Sequence, residues 1–253
     1  MECLYSLINI EMGIKEMICI VGGGGKTSTM FQLSRELSKM DKKVLVTTTT
    51  AIYYPEKEMF DNIIVSNKEE LNIFDHTTYN CVTVLGSLIS EEGKLLGVNP
   101  EFLDIIFLNG LFDYILVEGD GSKSRSVKAP AEHEPVIPSH ITKLVGLIGI
   151  DCIGKTVCEE NVHRLEHFCK ILDCREGDII DVEMIERLVM HEQGLFKASP
   201  RQAEKYLIFN KVDGESERNL AANITEELLV KGVKLEGIIM SSVKNSKFTN
   251  AII

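Results

Sequence analysis

Lys26 and Thr27 stand directly after four consecutive glycines, Gly22 to Gly25, and before a run of helix-forming residues. That order of types suits the binding of a phosphate chain. Glycine reaches backbone conformations closed to other residues, so Gly22, Gly23, Gly24 and Gly25 could aim several N–H groups at one anion. Lys26 would add a mobile charge for the β- and γ-phosphates of ATP or GTP. The Thr27 hydroxyl would ligate Mg2+, with Ser28 in the same first helical turn. The strict P-loop pattern G-x-x-x-x-G-K-[ST] needs glycine at position 20, where this chain has Ile20; the segment fits x-G-G-x-G-K-T instead.

Two carboxylates could complete such a site. The apolar run 114–117 ends in Glu118-Gly119-Asp120-Gly121-Ser122, and an apolar strand that delivers an acid to a crevice can hold Mg2+ or its bound water. Glu118 and Asp120 alternate along an extended chain, so one would face the phosphates while the other orders the turn. Thr47 to Thr50 follow the expected strand 43–46, at whose end hydroxyls would face the nucleotide or, as with Thr48, its metal. A threonine run also prolongs a strand through β propensity alone. Lys26, Glu118 and Asp120 are the candidate catalytic group; Thr27, Thr48, Glu118 and Asp120 are the candidate Mg2+ ligands.

A second constellation lies farther along. Residues 123–138 read KSRSVKAPAEHEPVIP, too rich in proline for regular structure and dense in charge. Asp151, Lys155 and the pair His163-Arg164 follow the next apolar run, 144–150. His133, Glu134, Asp151, His163 and Arg164 are therefore candidates for holding a small anionic acceptor at the strand ends. Histidines that only brace their loops would leave the same pattern. After the run 206–209 comes Asn210-Lys211-Val212-Asp213, the N-K-x-D form by which GTPases hold guanine. Asp213 would accept from the ring N–H and the amine, Asn210 would brace the loop, and Lys211 would stack on the base. A plain polar turn would read the same, so ATP and GTP both stay open.

The elements that must position these residues alternate. Strands are expected at 17–21, 43–46, 62–65, 80–85, 114–117, 144–150, 206–209 and 235–240, with helices after the glycines and at 100–109 and 215–231. Met30, Leu33, Leu37 and Met40 recur at helical spacing and predict one buried stripe on the first of these helices. Residues 4–10 read as a short helix or arm over a sheet edge, and the tail from Ser241 carries no readable pattern. Such alternation predicts an α/β fold, a mostly parallel twisted sheet flanked by helices and P-loop NTPase-like. A single domain over 1–253 is expected, with a pocket-forming loop region at about 121–165.

The net charge of −11 argues against affinity for nucleic acid or anionic membrane, which leaves proteins and small molecules as partners. No apolar run approaches the roughly 20 residues of a membrane-spanning helix, and no basic region precedes the first apolar residues. The expected location is cytoplasmic; the oligomeric state is open. Seven cysteines without regular spacing fit a reducing compartment. Cys152, Cys158, His163, His167, Cys169 and Cys174 are dense enough to suggest metal or selenium, but their spacing matches no zinc pattern, and buried thiols are the commoner outcome.

In VGGGGKTS, VLVTTTTAIYYP, ILVEGDGSKS, KAPAEHEPVIP, GIDCIGKTVCEENVHR and FNKVD, in that order, the chain resembles the YqeC group of selenium-dependent molybdenum hydroxylase accessory proteins. The glycine motif alone is also similar to the P-loop branch of metallochaperone GTPases and dimeric ATPases, many of which carry a second lysine where this chain has Val21. The YqeC resemblance implies a cytoplasmic nucleotide-binding protein that helps build or insert the cofactor of a molybdenum hydroxylase, with that enzyme or a cofactor-handling protein as partner. Ala51 departs from it, standing where a basic residue is usual. Two readings follow: a Mg2+-dependent NTPase or phosphotransferase, or a nucleotide-gated switch that docks a hydroxylase or cofactor carrier.

Overall fold

The computed structural model describes residues 2–251. The chain runs α1 (Leu4–Leu7), β1 (Glu16–Gly22), α2 (Lys26–Ser38), β2 (Lys43–Thr48), β3 (Ala51–Tyr53), β4 (Asn62–Val65), β5 (Cys81–Gly86), β6 (Leu88–Ile89) and β7 (Lys94–Leu96). It continues through α3 (Pro100–Leu108), β8 (Tyr114–Glu118), β9 (Val127–Lys128), β10 (Lys143–Gly149), β11 (Val162–His163), α4 (Leu165–Leu172) and α5 (Val182–Met190). β12 (Glu204–Asn210), α6 (Glu215–Val230), β13 (Gly237–Ser242) and β14 (Lys247–Asn250) complete it.

Nine strands form one sheet in the order β14-β13-β12-β10-β1-β8-β2-β5-β4, parallel throughout except for β14. A parallel sheet needs both faces covered, and β1 meets that need by alternation. Ile18 and Ile20 join one core with Met30, Leu33 and Leu37 of α2, while Met17, Cys19 and Val21 join the other with Phe102, Leu103 and Ile106 of α3. A third core gathers α4, α5 and α6 over Leu207 and Phe209 of β12. This is the expected α/β architecture. Among the described residues, no helix is long and apolar enough to cross a membrane.

Three expectations need correction. Met40 lies beyond the end of α2 and is 37% exposed, because the chain leaves helical geometry there and turns through Asp41 at φ 58°. β2 runs on through Thr47 and Thr48, whose backbones pair with Val117 and Glu118 of β8. The tail is not featureless: β14 closes one edge of the sheet by antiparallel pairing with β13. A small antiparallel ribbon, β3-β7-β6, stands apart from the main sheet, and its short strands have no legible period. α1 packs Leu4 and Leu7 onto the core that holds Phe248 of β14, as an arm near that edge would.

Parallel strands release their loops on one edge, and that edge carries every segment of interest. β1 is central, between β10 and β8, and the register sets Ile20 beside Glu118 and Gly22 beside Leu147.

Candidate functional site

The glycine loop works differently from the simple expectation of four N–H groups converging on one point. Gly22 donates to the Asp120 carboxylate at 3.1 and 3.2 Å, Gly23 to Leu147 O at 2.8 Å and Gly24 to Arg125 O at 2.9 Å. Those glycines are needed for close approach: a Cβ on Gly24, at φ +87°, would lie 2.2 Å from the Gly149 nitrogen. The N–H groups of Gly25, Lys26, Thr27 and Ser28 are the ones without an acceptor among the described residues. They form the first turn of α2 and line a cavity of about 660 Å3, where a helix N-terminus can hold an anion.

Lys26 is buried, and its Nζ lies 2.8 Å from Gly22 O, 3.3 Å from Asp120 Oδ1 and 3.6 Å from Glu118 Oε1. Burial works against its charge, but Asp120 and Glu118 outweigh that and raise its pKa. Thr27 Oγ1 donates to Glu118 Oε2 at 2.6 Å. The two candidate acids therefore have separate tasks. Glu118 reaches the cavity wall beside Thr27, whereas Asp120, fully enclosed, ties the glycine loop to Lys26 and Lys128. Burial raises the Glu118 pKa against the pull of Lys26.

The threonine hydroxyls are mostly used within the protein. Thr47 donates to Leu85 O, Thr48 to Glu118 O at 2.8 Å, and Thr49 to Val136 O. Thr48, expected at the metal, is instead a buried brace for the β8 terminus; Thr50 is the member of the run that lines the cavity. Ala51, Ile52 and Tyr53 continue the wall, with Lys94 Nζ 5.9 Å from the Tyr53 ring.

Opposite the glycine loop the wall is built from distant segments. β9 and β11 pair in parallel, His163 beside Lys128, which fixes the 123–138 loop against the start of α4. A chain of alternating charge then crosses the site. Lys128 Nζ meets Asp120 Oδ2 at 3.1 Å and Glu134 Oε2 at 2.8 Å, and Glu134 Oε1 meets Arg164 Nη2 at 3.2 Å. Burial opposes ionisation of Glu134, but Lys128, Arg164 and the Ala131 N–H prevail and hold its pKa at about 2. Burial and then the charges of Lys128 and Arg164 push His163 down to about 4, so its imidazole is neutral at pH 7. His133, His163 and Arg164 line the cavity together with Lys26, as their position in the chain predicts. Asp151 does not; it pairs with Lys155 at 3.0 Å and Lys211 at 3.2 Å behind the wall.

Lys123, Ser124, Arg164 and Lys211 all line this cavity with positive φ, between 46° and 64°. Left-handed backbone at non-glycine residues is uncommon and clusters at working sites. Ser124, Tyr53 and Lys94 went unnoticed as site residues, since nothing in their neighbours marks them. Asn210 is buried and donates from Nδ2 to Gly24 O at 2.7 Å, so it braces the glycine loop. Lys211 Nζ is held by Ser126 at 2.7 Å. Asp213 is exposed, outside the residues lining the cavity, and accepts from the Ser242 hydroxyl and from Asn245.

Cys152 belongs to a hydrophobic core, and Cys169 and Cys174 pack against it. Among the described residues, no group of three or more His, Cys, Asp and Glu is arranged to hold a metal ion. Thr27 Oγ1 and Glu118 are hard oxygen donors side by side, the kind of pair Mg2+ uses alongside phosphate oxygens.

The family described as YqeC protein matches residues 18–166, which contain the glycine loop, Glu118, Asp120, the 123–138 loop and Arg164. A relative from Escherichia coli (strain K12), titled "Uncharacterized protein YqeC", is 31% identical over 209 residues, 81% of each chain. By both measures, the chain belongs to the YqeC family.

Proposed function

We propose that this protein binds a Mg2+-nucleoside triphosphate, ATP or GTP, in the 660 Å3 cavity and hydrolyses it or transfers its γ-phosphoryl group. In this role it is a cytoplasmic accessory factor in the maturation of a selenium-dependent molybdenum hydroxylase or its cofactor. The observation that carries the nucleotide reading is the contact of Thr27 Oγ1 with Glu118 at 2.6 Å, beside Lys26 and beneath the free N–H groups of α2. The P-loop reading of Gly22 to Ser28 explains why these groups meet.

The N–H groups of Gly25 to Ser28 would hold phosphate oxygens, and Lys26 would leave its carboxylate partners for the β- and γ-phosphates. Thr27 and Glu118 would hold Mg2+, which neutralises charge on the transferring group. Asp120 keeps the loop in shape through Gly22, and Asn210 does so through Gly24. Lys94 offers a cation on the ribbon that Ala51 does not. The maturation role rests on family resemblance, carried above all by APAEHEPVIP and ENVHR.

A switch reading is favoured by the ribbon. It leads from Thr50 at the cavity to Tyr53, Tyr54, Leu88 and Ile89, all exposed, so an ordering of the threonine run by nucleotide would reach an apolar surface. Slow turnover accelerated by a hydroxylase would favour the switch; turnover with a small acceptor alone would favour the enzyme. Calorimetry of Mg2+-ATP and Mg2+-GTP against wild type and Lys26→Ala tests the common core of both. The variant should melt at a lower temperature, because buried Glu118 and Asp120 lose a cation, and its folded form should bind roughly 10- to 100-fold more weakly, the loss expected for one charge-assisted contact of about 1.5–3 kcal/mol. Equal binding would overturn the reading.

A further inference from the structure

A second cavity, of about 620 Å3, adjoins the first. The residues common to both are Lys123, His133, His163 and Arg164, so the partition between them is made of cations and imidazoles. The four acids that line the second cavity, Glu132, Glu159, Glu166 and Glu176, are absent from the first. Arg125 and His167 also line only the second cavity, with Arg125 donating to the Glu159 and Lys123 carbonyls, so beyond the partition four carboxylates face one guanidinium and one imidazole: the cavity is basic where it meets the nucleotide cavity and net acidic away from it.

From this we infer a separate acceptor site for a small zwitterion, with its anionic group at the partition and an ammonium or similar donor toward the glutamates. The inference rests on the nucleotide reading for its meaning, since it supplies the second substrate, but not for its geometry. Arg164 gives one nitrogen to Glu134 and remains 39% exposed, which leaves most of its five donors for a ligand. Glu134 cannot swing away to neutralise it elsewhere, because Lys128 and the Ala131 N–H hold the same carboxylate. Lys123 is exposed, and its ammonium has no partner among the described residues. The guanidinium and ammonium suit a phosphate or carboxylate, which Arg binds in bidentate fashion. A neutral His163 between them can donate or accept without adding charge. The glutamates would repel a pure polyanion, so a simple phosphate should bind less well than one that also carries an amine.

The probe is phosphoethanolamine, compared with inorganic phosphate, titrated calorimetrically into the full chain saturated with Mg2+ and a non-hydrolysable nucleotide. Phosphoethanolamine should bind once per chain and roughly fivefold tighter than phosphate, the effect of one exposed ion pair. Glu166→Gln with Glu176→Gln should remove that advantage, weakening phosphoethanolamine and, with the repulsion gone, tightening phosphate. Arg164→Gln should weaken both probes, and Lys123→Ala, whose side chain anchors nothing, should do the same if Arg164→Gln misfolds. Repeating the titration on Lys26→Ala without nucleotide separates the two ideas. If that chain still prefers phosphoethanolamine while wild type binds no nucleotide, the nucleotide reading alone has failed. Equal affinity for the two probes in wild type, or a preference untouched by the glutamate substitutions, overturns the acceptor site.

Discussion

The two halves of the 660 Å3 cavity are built by opposite means. One half is contiguous backbone, Gly24 to Ser28, held in place by β1, Asp120 and Asn210. The other is an assembly of side chains from the 121–134 loop, the start of α4, the ribbon and Lys211, fixed by a buried ion chain and by left-handed backbone. Backbone N–H groups bind any phosphate and need little tuning. Side chains gathered from afar can discriminate, but each depends on its neighbours' charges.

The sharpest way to break the first half is Gly24→Ala. The new Cβ would lie 2.2 Å from the Gly149 nitrogen, at a φ of +87° that alone costs about 1–2 kcal/mol. Neither backbone can yield without disturbing β1 or β10, so nucleotide binding should vanish and the melting temperature should drop. Circular dichroism melts and calorimetry would check both. A stable, binding-competent variant would mean that the loop is not held as tightly as its hydrogen bonds imply.

The second half should break through Lys128, which is buried and outside the residues lining the cavity. Lys128→Met would take from buried Asp120 and Glu134 their shared cation and leave them to Lys26 and Arg164 alone, so the loss should fall short of the about 3–5 kcal/mol that a fully orphaned buried charge costs. Urea unfolding should register that loss. Adding Asp120→Asn and Glu134→Gln to the same chain should restore much of it, because the buried charges go with their partner. Failure of that rescue would show that Lys128 acts by packing and not by charge.

The same contrast explains what the sequence discloses. β1, its glycines and α2 are legible because the motif is contiguous and its flanking periodicities are strong. Asp213 and Asn210 are visible as a four-residue pattern, and Glu118 as an acid at a strand end. That Glu118 and Asp120 divide the work is readable from their alternation, but which acid takes which task is not, since it depends on Lys128 arriving through the β9·β11 pairing. Thr48 looked like a ligand by position, but β2 continues far enough to bury it. Tyr53 and Lys94 meet only because β3 pairs with β7, 41 residues on from Tyr53 to Lys94, and short strands of two or three residues leave no period to detect.

A smaller effect would sharpen the comparison at the base. Asp213 shares its Oδ1 with Ser242 and Asn245 and is otherwise exposed, so its second oxygen is open to a ligand. If guanine lies there, GTP should bind more tightly than ATP, and Asp213→Asn should weaken GTP by roughly tenfold while admitting xanthine nucleotides, one charged hydrogen bond being worth about 1.5 kcal/mol or more. Equal affinities for GTP and ATP, unchanged in the variant, would leave Asp213 as a cap for the turn and Asn210 as the part of this motif that matters.

The smallest effect belongs to His163 and concerns pH. Burial and the cations of Lys128 and Arg164 hold its folded pKa near 4, against 6.5 when unfolded, with Glu134 as the facing acid and Lys123 as a further cation. Between these values the unfolded chain binds a proton that the folded chain refuses, so stability is full above pH 6.5 and declines as pH falls toward 4. The imidazole is partly exposed, so screening should hold this loss below about 1 kcal/mol. Glu134 titrates elsewhere: its folded pKa of about 2 against 4.5 makes its contribution present above pH 4.5 and lost on the way to 2. The two residues therefore act in adjoining windows. Denaturant midpoints followed from pH 7 downward should fall more gently in His163→Asn than in wild type above pH 4.5. Glu134→Gln should leave that upper slope alone and change the lower one. A His163→Asn profile parallel to wild type throughout would mean that the folded imidazole titrates near 6.5 as the unfolded one does, so the partition would gain a cation below that pH.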